Sequence, residues 1–558
     1  MATNKAPDAI GTAEQIAPGA GDAKTAPTAP ATHEIDINDA AVEEKKVMSV
    51  ELTDAIAKDQ PKYLSKRQLQ LFAFCAFVTL NGCMSGYDGS VMSSVNAMSQ
   101  FHEYFDVGKV GSQIGLVMAI YTAGGIVGSF WTGFALDTFG RRGGMVCGSI
   151  CIIVGSIVQS TSKNLDAFIA GRFVVGMGVP VVQTAAPMYI VEMAYPTWRG
   201  TAGGYYNVLA WYIGSNVASW TCYGTSNIPN DWSWRIPHIL QAIPATFIAT
   251  TVYFLLPESP RWLWQKGKRD KARAILVKYH GNDNADSALV ALECSEIQYS
   301  IEQGDASDSH KWWNYKILFA NRPNLYRMYI LFLLVVFLQF TGQSVISYYL
   351  PSMLEIVGFT DSKQQLLVTA LNNVFSFCAG MVGAAQVDRW GRRPLMLWGI
   401  FITAIIYIPI NVIAGLADGN ISTASGYAFI AMIYSYGMTS SFCITPLQAL
   451  YPAEILPTDI RAKGIAFDKL VAAVASFINL YLTPIALKNI GWKAYTIFLV
   501  LHIVHWFMMH QVFVETKGRS LEEIEEIFQD RKPVKRSKAF AKVVVSRGVG
   551  VKVTEEQA

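Results

Sequence analysis

Twelve stretches of about 18–28 predominantly apolar residues follow one another along this chain. A helix of that length crosses a hydrocarbon layer of about 30 Å, and within such a layer every backbone polar group must be satisfied internally. The repetition restricts the fold to an all-α membrane protein with twelve transmembrane helices. Composition agrees, since 52% of the 558 residues are hydrophobic and only 16% charged. An ordinary soluble domain carries about 25% charged residues. A soluble enzyme, a coiled coil and a disulfide scaffold are thereby excluded. The net charge of +3 predicts no nucleic-acid partner. Eight scattered cysteines without a CxxC pair predict neither a metal centre nor a disulfide framework.

The charge is gathered into three blocks. Residues 1–68 contain no apolar run of signal-peptide type and are expected to form a disordered tail. Residues 257–325 read as a linker with short amphipathic helices. Residues 515–558 read as a C-terminal tail. Between them lie two groups of six spans, 69–256 and 326–514. Lys and Arg concentrate in the loops after spans 2, 4, 8 and 10 and in the middle block, which places that block and both termini in the cytoplasm. Asn420, in an Asn-Ile-Ser sequon, falls on the outer side and is a candidate glycosylation site.

Short motifs recur in order. Asp137, Gly140, Arg141 and Arg142 have the spacing of Asp388, Gly391, Arg392 and Arg393. Glu192 and Arg199 recur as Glu454 and Arg461, and Glu258 recurs as Glu515. The copies lie roughly 250–260 residues apart, each after the equivalent span, so the two groups are halves related by duplication. The arginine fork binds carboxylates bidentately. The ten charged residues at these helix ends, Glu258 and Glu515 aside, are therefore expected to form a cytoplasmic gate. Its ion pairs would bridge the halves when the outer side is open and break when the inner side opens. Plain anchoring by positive charge is the simpler alternative.

With these motifs in view, residues 70–530 resemble the sugar porter family of the major facilitator superfamily. The segments DTFGRR, GRFVVGMGVP, PESPRWL, DRWGRRP and VETKGRSLEEI carry the likeness. The runs SYYLPSML and TPLQALYPAEILPTDIRAKG are similar to the fungal branch that includes lactose permease and hexose transporters. The resemblance implies the major facilitator fold and alternating access to a midplane site. It also implies uptake of a disaccharide or hexose by proton symport at the plasma membrane, with no enzyme activity and no cofactor.

A charge at mid-membrane costs about 2.5–3.5 kcal/mol on insertion scales, so each one asks for a reason. Asp88 in span 1 and Arg172 in span 4 match the family's proton-coupling pair. The bland alternative places Asp88 at a helix end, facing outer water. Sugar hydroxyls must be re-paired when water is stripped away. Asn207, Trp211, Gln339, Gln343, Ser344, Tyr348, Asn373 and Gln448 are the candidate substrate contacts, although isolated amides also join helices. Leu338, Ser344, Ser376 and Ala449 stand where glucose carriers commonly place amides or a tryptophan. Two other readings therefore stand beside sugar symport: a transporter of a non-sugar metabolite on the same fold, and a sugar sensor. No phosphate loop, catalytic signature or metal site is present. The expected partners are a small-molecule substrate, protons and the lipid bilayer, with no obligate protein partner.

Overall fold

A computed structural model describes residues 64–306, 315–416, 423–457, 460–517, 519, 521–538, 540–545 and 551–556. Asn420 lies outside these residues, and the side chains of Ser344 and Asp388 lie outside the description. Helix α1 (Lys66–Val95) begins at Ser65, whose hydroxyl accepts the amide of Gln68. A short helix α2 (Ser99–Phe105) precedes α3 (Ser112–Thr161), which makes two spans across a kink at Gly140. Helix α4 (Leu165–Met193) is capped by the Asn164 side chain. Helices α5 (Arg199–Thr225) and α6 (Trp232–Leu255) complete six spans. The middle block forms α7 (Pro260–Gln265), α8 (Arg269–Tyr279) and α9 (Ala288–Ala306).

Six more spans follow. They are α10 (Arg322–Phe340) with α11 (Gln343–Ile356), α12 (Ser362–Trp390), α13 (Arg392–Leu416), α14 (Thr423–Cys443) with α15 (Leu447–Ile455), α16 (Arg461–Ile490) and α17 (Lys493–Val512). Nine helices among the described residues are long and apolar enough to cross a bilayer, and the 50-residue α3 crosses twice. Helices α5 and α14 occupy the fifth and tenth places.

Three features depart from the sequence reading. Spans 7 and 10 are broken rather than continuous. The first break falls at Thr341–Gly342, where Gly342 has φ +78° and any Cβ would meet the Tyr407 hydroxyl at 2.6 Å. The Tyr436 hydroxyl donates to the Thr341 carbonyl that the break leaves unpaired (2.8 Å). The second break precedes Pro446, which lacks an N–H. The C-terminal block is not wholly a tail. Helix α18 (Leu521–Gln529) buries Ile524, Ile527 and Phe528, and Glu525 pairs with buried Arg327 at 2.6 Å. A short helix α19 (Pro533–Lys538) follows. Strands β1 (Phe540–Val545) and β2 (Val551–Glu556) pair as an antiparallel hairpin, a small exception to an all-helical chain.

The buried apolar residues form three large clusters. One draws only on 71–279 and another only on 318–528. Both lie toward the face that carries the middle block and α18, called here the linker face. The third cluster joins the halves: Val91, Met98 and Ile114 share it with Ile346, Met353 and Leu480. It lies toward the opposite, far face. The halves are thus packed together at the far face and keep separate cores at the linker face.

Candidate functional site

The apolar first half contains one deeply buried ion pair. Asp88 and Arg172 are both fully buried, with Arg172 Nη1 3.6 Å from Asp88 Oδ1. Gln241 Nε2, from α6, donates to the same oxygen at 2.9 Å. Arg172 Nε donates to the Val117 carbonyl, and its guanidinium lies over the Tyr121 ring at 5.4 Å. Four helices therefore enclose the charge. Asp88 does not face outer water, which removes the helix-end alternative. Gln241 escaped the sequence reading, although a lone amide in an apolar span was the available sign. A second buried carboxylate, Asp468 in α16, was missed too; Lys469 Nζ is 4.0 Å from it.

The Asp88 turn abuts the seam between the halves. A Cβ on Gly89 would come within 2.7 Å of Cη2 of the Trp211 ring. Asn207 is half-buried one helical turn earlier on the same face of α5. Across the seam, Gln343 Nε2 donates to Ser347 Oγ (3.4 Å), while its Oε1 is buried without a hydrogen-bond partner. Tyr348 packs against the shared core. Gln339 takes part through its backbone, whose carbonyl accepts from Asn479 at 2.6 Å. Asn373 joins helices: its Nδ2 donates to Ser219 Oγ at 2.7 Å, from α12 to α5. Gln448 is exposed. Trp211, Asn207, Gln343 and Tyr348 are the candidate contacts still presented at the seam.

The expected gate differs in its pairing. Arg141 grips Glu192 bidentately (2.8 and 2.9 Å), and Arg392 grips Glu454 (2.6 and 3.1 Å). Arg142 Nε reaches Glu258 at 3.3 Å. Each of these pairs stays within one half. In this conformation each fork closes on a carboxylate of its own half, and none of these pairs bridges the seam. Asp137 is exposed, and its backbone carbonyl accepts from Trp262. Arg199 and Arg461 each donate to a carbonyl five residues earlier, Ala194 and Leu456. Among the described residues, Lys109–Glu355 (3.4 Å) is the ion pair that crosses between halves, and it lies at the far face.

The duplication is visible in backbone detail. Gly140 (φ +79°) and Gly391 (φ +91°) turn the chain so that following N–H groups point at a glutamate. Glu258 accepts from the amides of Arg141 and Ser259, and Glu515 from those of Arg392, Arg393, Thr516 and Lys517. A Cβ at Gly140 would stand 2.5 Å from Glu258 Oε2, and one at Gly391 2.9 Å from Glu515 Oε2.

The middle block is fastened to the first half. His280 Nδ1 lies 2.6 Å from Glu293 Oε2 and its Nε2 3.2 Å from the Met193 carbonyl. Arg199 donates to Glu293 Oε1 at 3.2 Å. Burial alone pushes the Glu293 carboxyl up, but His280 and Arg199 beside it prevail and hold it below its ordinary value.

A fold of two six-helix halves about a seam, with an Asp–Arg pair buried inside the first half, can be compared with known proteins. The sequence pattern described as "Sugar (and other) transporter" matches residues 74–528. The chain belongs to the sugar (and other) transporter family. Membership makes it a multi-pass membrane transporter of the major facilitator superfamily and not an enzyme. The MFS-type transporter criB of Aspergillus cristatus is 30% identical over 481 residues, covering 84% of this chain and 96% of that protein. The MFS glucose transporter mfs1 of Aspergillus flavus is 28% identical over 498 residues, covering 84% and 92%. The quinate permease of Emericella nidulans is 27% identical over 497 residues, covering 86% and 92%. Among solved structures, the partially occluded inward-open xylose transporter XylE of E. coli aligns with TM-score 0.68 at 22% identity, covering 81% of this chain and 99% of that one. At that identity the likeness speaks to the fold alone.

Proposed function

We propose that this chain carries a sugar across the plasma membrane together with a proton, by alternately opening its two faces. The observation that supports the reading best is the Asp88–Arg172–Gln241 cluster, a carboxylate with no water access set one residue from the seam wall at Gly89 and Trp211. Exchange of the Arg172 contact for a proton neutralises Asp88 and frees its carboxyl from the ion pair, so that the halves can rearrange. Arg172 stays inside, held by the Val117 carbonyl and the Tyr121 ring. Each proton moving inward supplies about 2.3 kcal/mol per 100 mV, enough to concentrate a neutral sugar roughly 50-fold.

The two separate cores support a conformation open at the linker face. The Lys and Arg content of that face supports a cytoplasmic orientation for it and for both termini. Sugar hydroxyls meet the Asn207 and Gln343 amides, and the ring faces of Trp211 and Tyr348 pack against the apolar side of the sugar. Relatives named as glucose transporters favour a hexose. A second reading, a non-sugar metabolite, is favoured by the commitment of the Asn373 amide to Ser219 and by a relative named as a quinate permease.

The test uses vesicles loaded with a pH dye. Sugar addition acidifies the lumen with the unmodified protein and not with Asp88→Asn. Acidification that persists in Asp88→Asn overturns the coupling assignment. Uptake competition across hexoses, disaccharides and quinate separates the two substrate readings.

A further inference from the structure

Where the second half meets the linker face, the surface holds a groove of about 660 Å³. Its floor is aromatic: Trp390 ends α12, Trp398 and Phe401 stand on α13, and Trp506 on α17. Trp390 and Trp398 are 52% and 57% exposed. From Arg393 at the lip to Phe401 the helix rises about 12 Å, so the floor reaches two turns into the hydrocarbon. The lip carries Arg393, Lys517 and Lys538.

Among the described residues the lining holds more cations than carboxylates, Arg393, Lys517 and Lys538 against Glu515. Arg393 donates to the carbonyls of Phe513 and His510, and Lys517 Nζ to that of Arg389. Glu515 is the one carboxylate in the lining, and its oxygens are taken by four backbone N–H groups and hold the turn. The lip is also built. Helix α19, with Lys535, Arg536 and Lys538 in its last turn, is pinned over the groove by Ser537. The Ser537 hydroxyl accepts the Glu515 amide, and its carbonyl accepts from Arg519.

We propose that this groove binds an anionic phospholipid from the leaflet that meets the linker face, the cytoplasmic one under the orientation proposed above. The acyl chain lies on Trp398, Phe401 and Trp506, and the phosphate and carboxylate of a phosphatidylserine-type headgroup sit between Lys517 and Lys538. A cation near an anionic headgroup raises lipid occupancy about fivefold per residue. A wholly apolar solute would leave the cationic lip unused, and a free anion would leave the aromatic floor uncovered.

The test reads tryptophan fluorescence of the full chain in phosphatidylcholine vesicles. These are doped with acyl-brominated phosphatidylserine or, in parallel, with acyl-brominated phosphatidylcholine, because bromine quenches tryptophan only on contact. The serine lipid is expected to quench more at equal mole fraction. The excess falls at least about tenfold in Lys517→Gln/Lys538→Gln. It also disappears when Trp390, Trp398 and Trp506 are all replaced by Phe. Lys488→Gln, at the far face, leaves it unchanged. Equal quenching by the two lipids overturns the proposal. So does an excess that survives the lysine or tryptophan changes, that Lys488→Gln reduces equally, or that inorganic phosphate abolishes. The readout is binding, so it stands or falls separately from the choice of solute and from proton coupling.

Discussion

Replacing Gly140 by alanine tests the turn on which both halves are built. At φ +79° and ψ −177° an L-residue costs about 1–3 kcal/mol more than glycine. The added Cβ also stands 2.5 Å from Glu258 Oε2, so the carboxylate must move. Glu258 accepts the Arg141 amide at 3.1 Å, the Ser259 amide at 2.9 Å and Arg142 Nε at 3.3 Å. Losing one such charge-assisted bond costs about 1.5–3 kcal/mol. The sum is about 2.5–6 kcal/mol of destabilisation. Gly133, seven residues earlier, is the control. It is helical and a Cβ there meets nothing within 4 Å, so Gly133→Ala stabilises by about 0.5–1 kcal/mol. Thermal unfolding of the purified proteins in one detergent, followed by tryptophan fluorescence, should move the two variants in opposite directions. Adding Glu258→Ala to Gly140→Ala removes the clash, and the two changes should couple in a double-mutant cycle. If Gly140→Ala melts with Gly133→Ala, the turn does not work as argued. Gly391→Ala, against Glu515, should repeat the loss in the other half.

Gln241→Leu removes one donor from the buried Asp88 carboxylate, worth about 1.5–3 kcal/mol, and should displace the pH profile of solute-driven acidification; an unchanged profile would detach Gln241 from the cluster. Lys109→Gln opens the ion pair at the far face. Its partners are 25% and 43% exposed, so the loss is about 0.2–1 kcal/mol, and cysteine accessibility at the far face should rise at most about fivefold. The fastening of the middle block depends on ionised Glu293, whose pKa in the folded protein is depressed. Its contribution is therefore complete above the ordinary carboxylate value of 4.5 and is lost as pH falls through the lower folded value. Limited proteolysis of the middle block should accelerate below that value in the unmodified protein, and at neutral pH in Glu293→Gln. Equal cleavage of the two at neutral pH would mean that the pair fastens nothing.

What could be read in advance followed from spacing. Length and apolarity of the runs gave twelve spans, because a bilayer imposes a fixed thickness on any helix that crosses it. The recurring Asp-x-x-Gly-Arg-Arg and glutamate positions marked two copies, and two contacts recur in each half: the amide of the first arginine and the amide after the glutamate both donate to Glu258 and to Glu515. The rule that a charge in a span needs a reason singled out Asp88 and Arg172, and the fold does bring them within 3.6 Å. Applied more strictly, it would have raised Asp468 as well, and extended to uncharged amides it would have raised Gln241.

Contacts between distant elements were settled only in three dimensions. The sequence names arginines and carboxylates at helix ends but not which of them meet. Arg141 closes on Glu192 in its own half, and a one-dimensional pattern holds no information about which carboxylate an arginine meets. The same limit hid the breaks in spans 7 and 10. At Gly342 the helix stops where the Tyr407 hydroxyl fills the place of a side chain and the Tyr436 hydroxyl takes up the freed Thr341 carbonyl, two groups at least 65 residues away in the chain. It also hid the role of Asn373, which is polar in any reading but binds Ser219 only because α5 and α12 lie side by side. Solvent preference acts on each segment separately, so the sequence by itself determined the spans and their duplication. Hydrogen bonds and ion pairs act between segments at ångström range, so only the packed bundle decided which polar groups face one another across its seam.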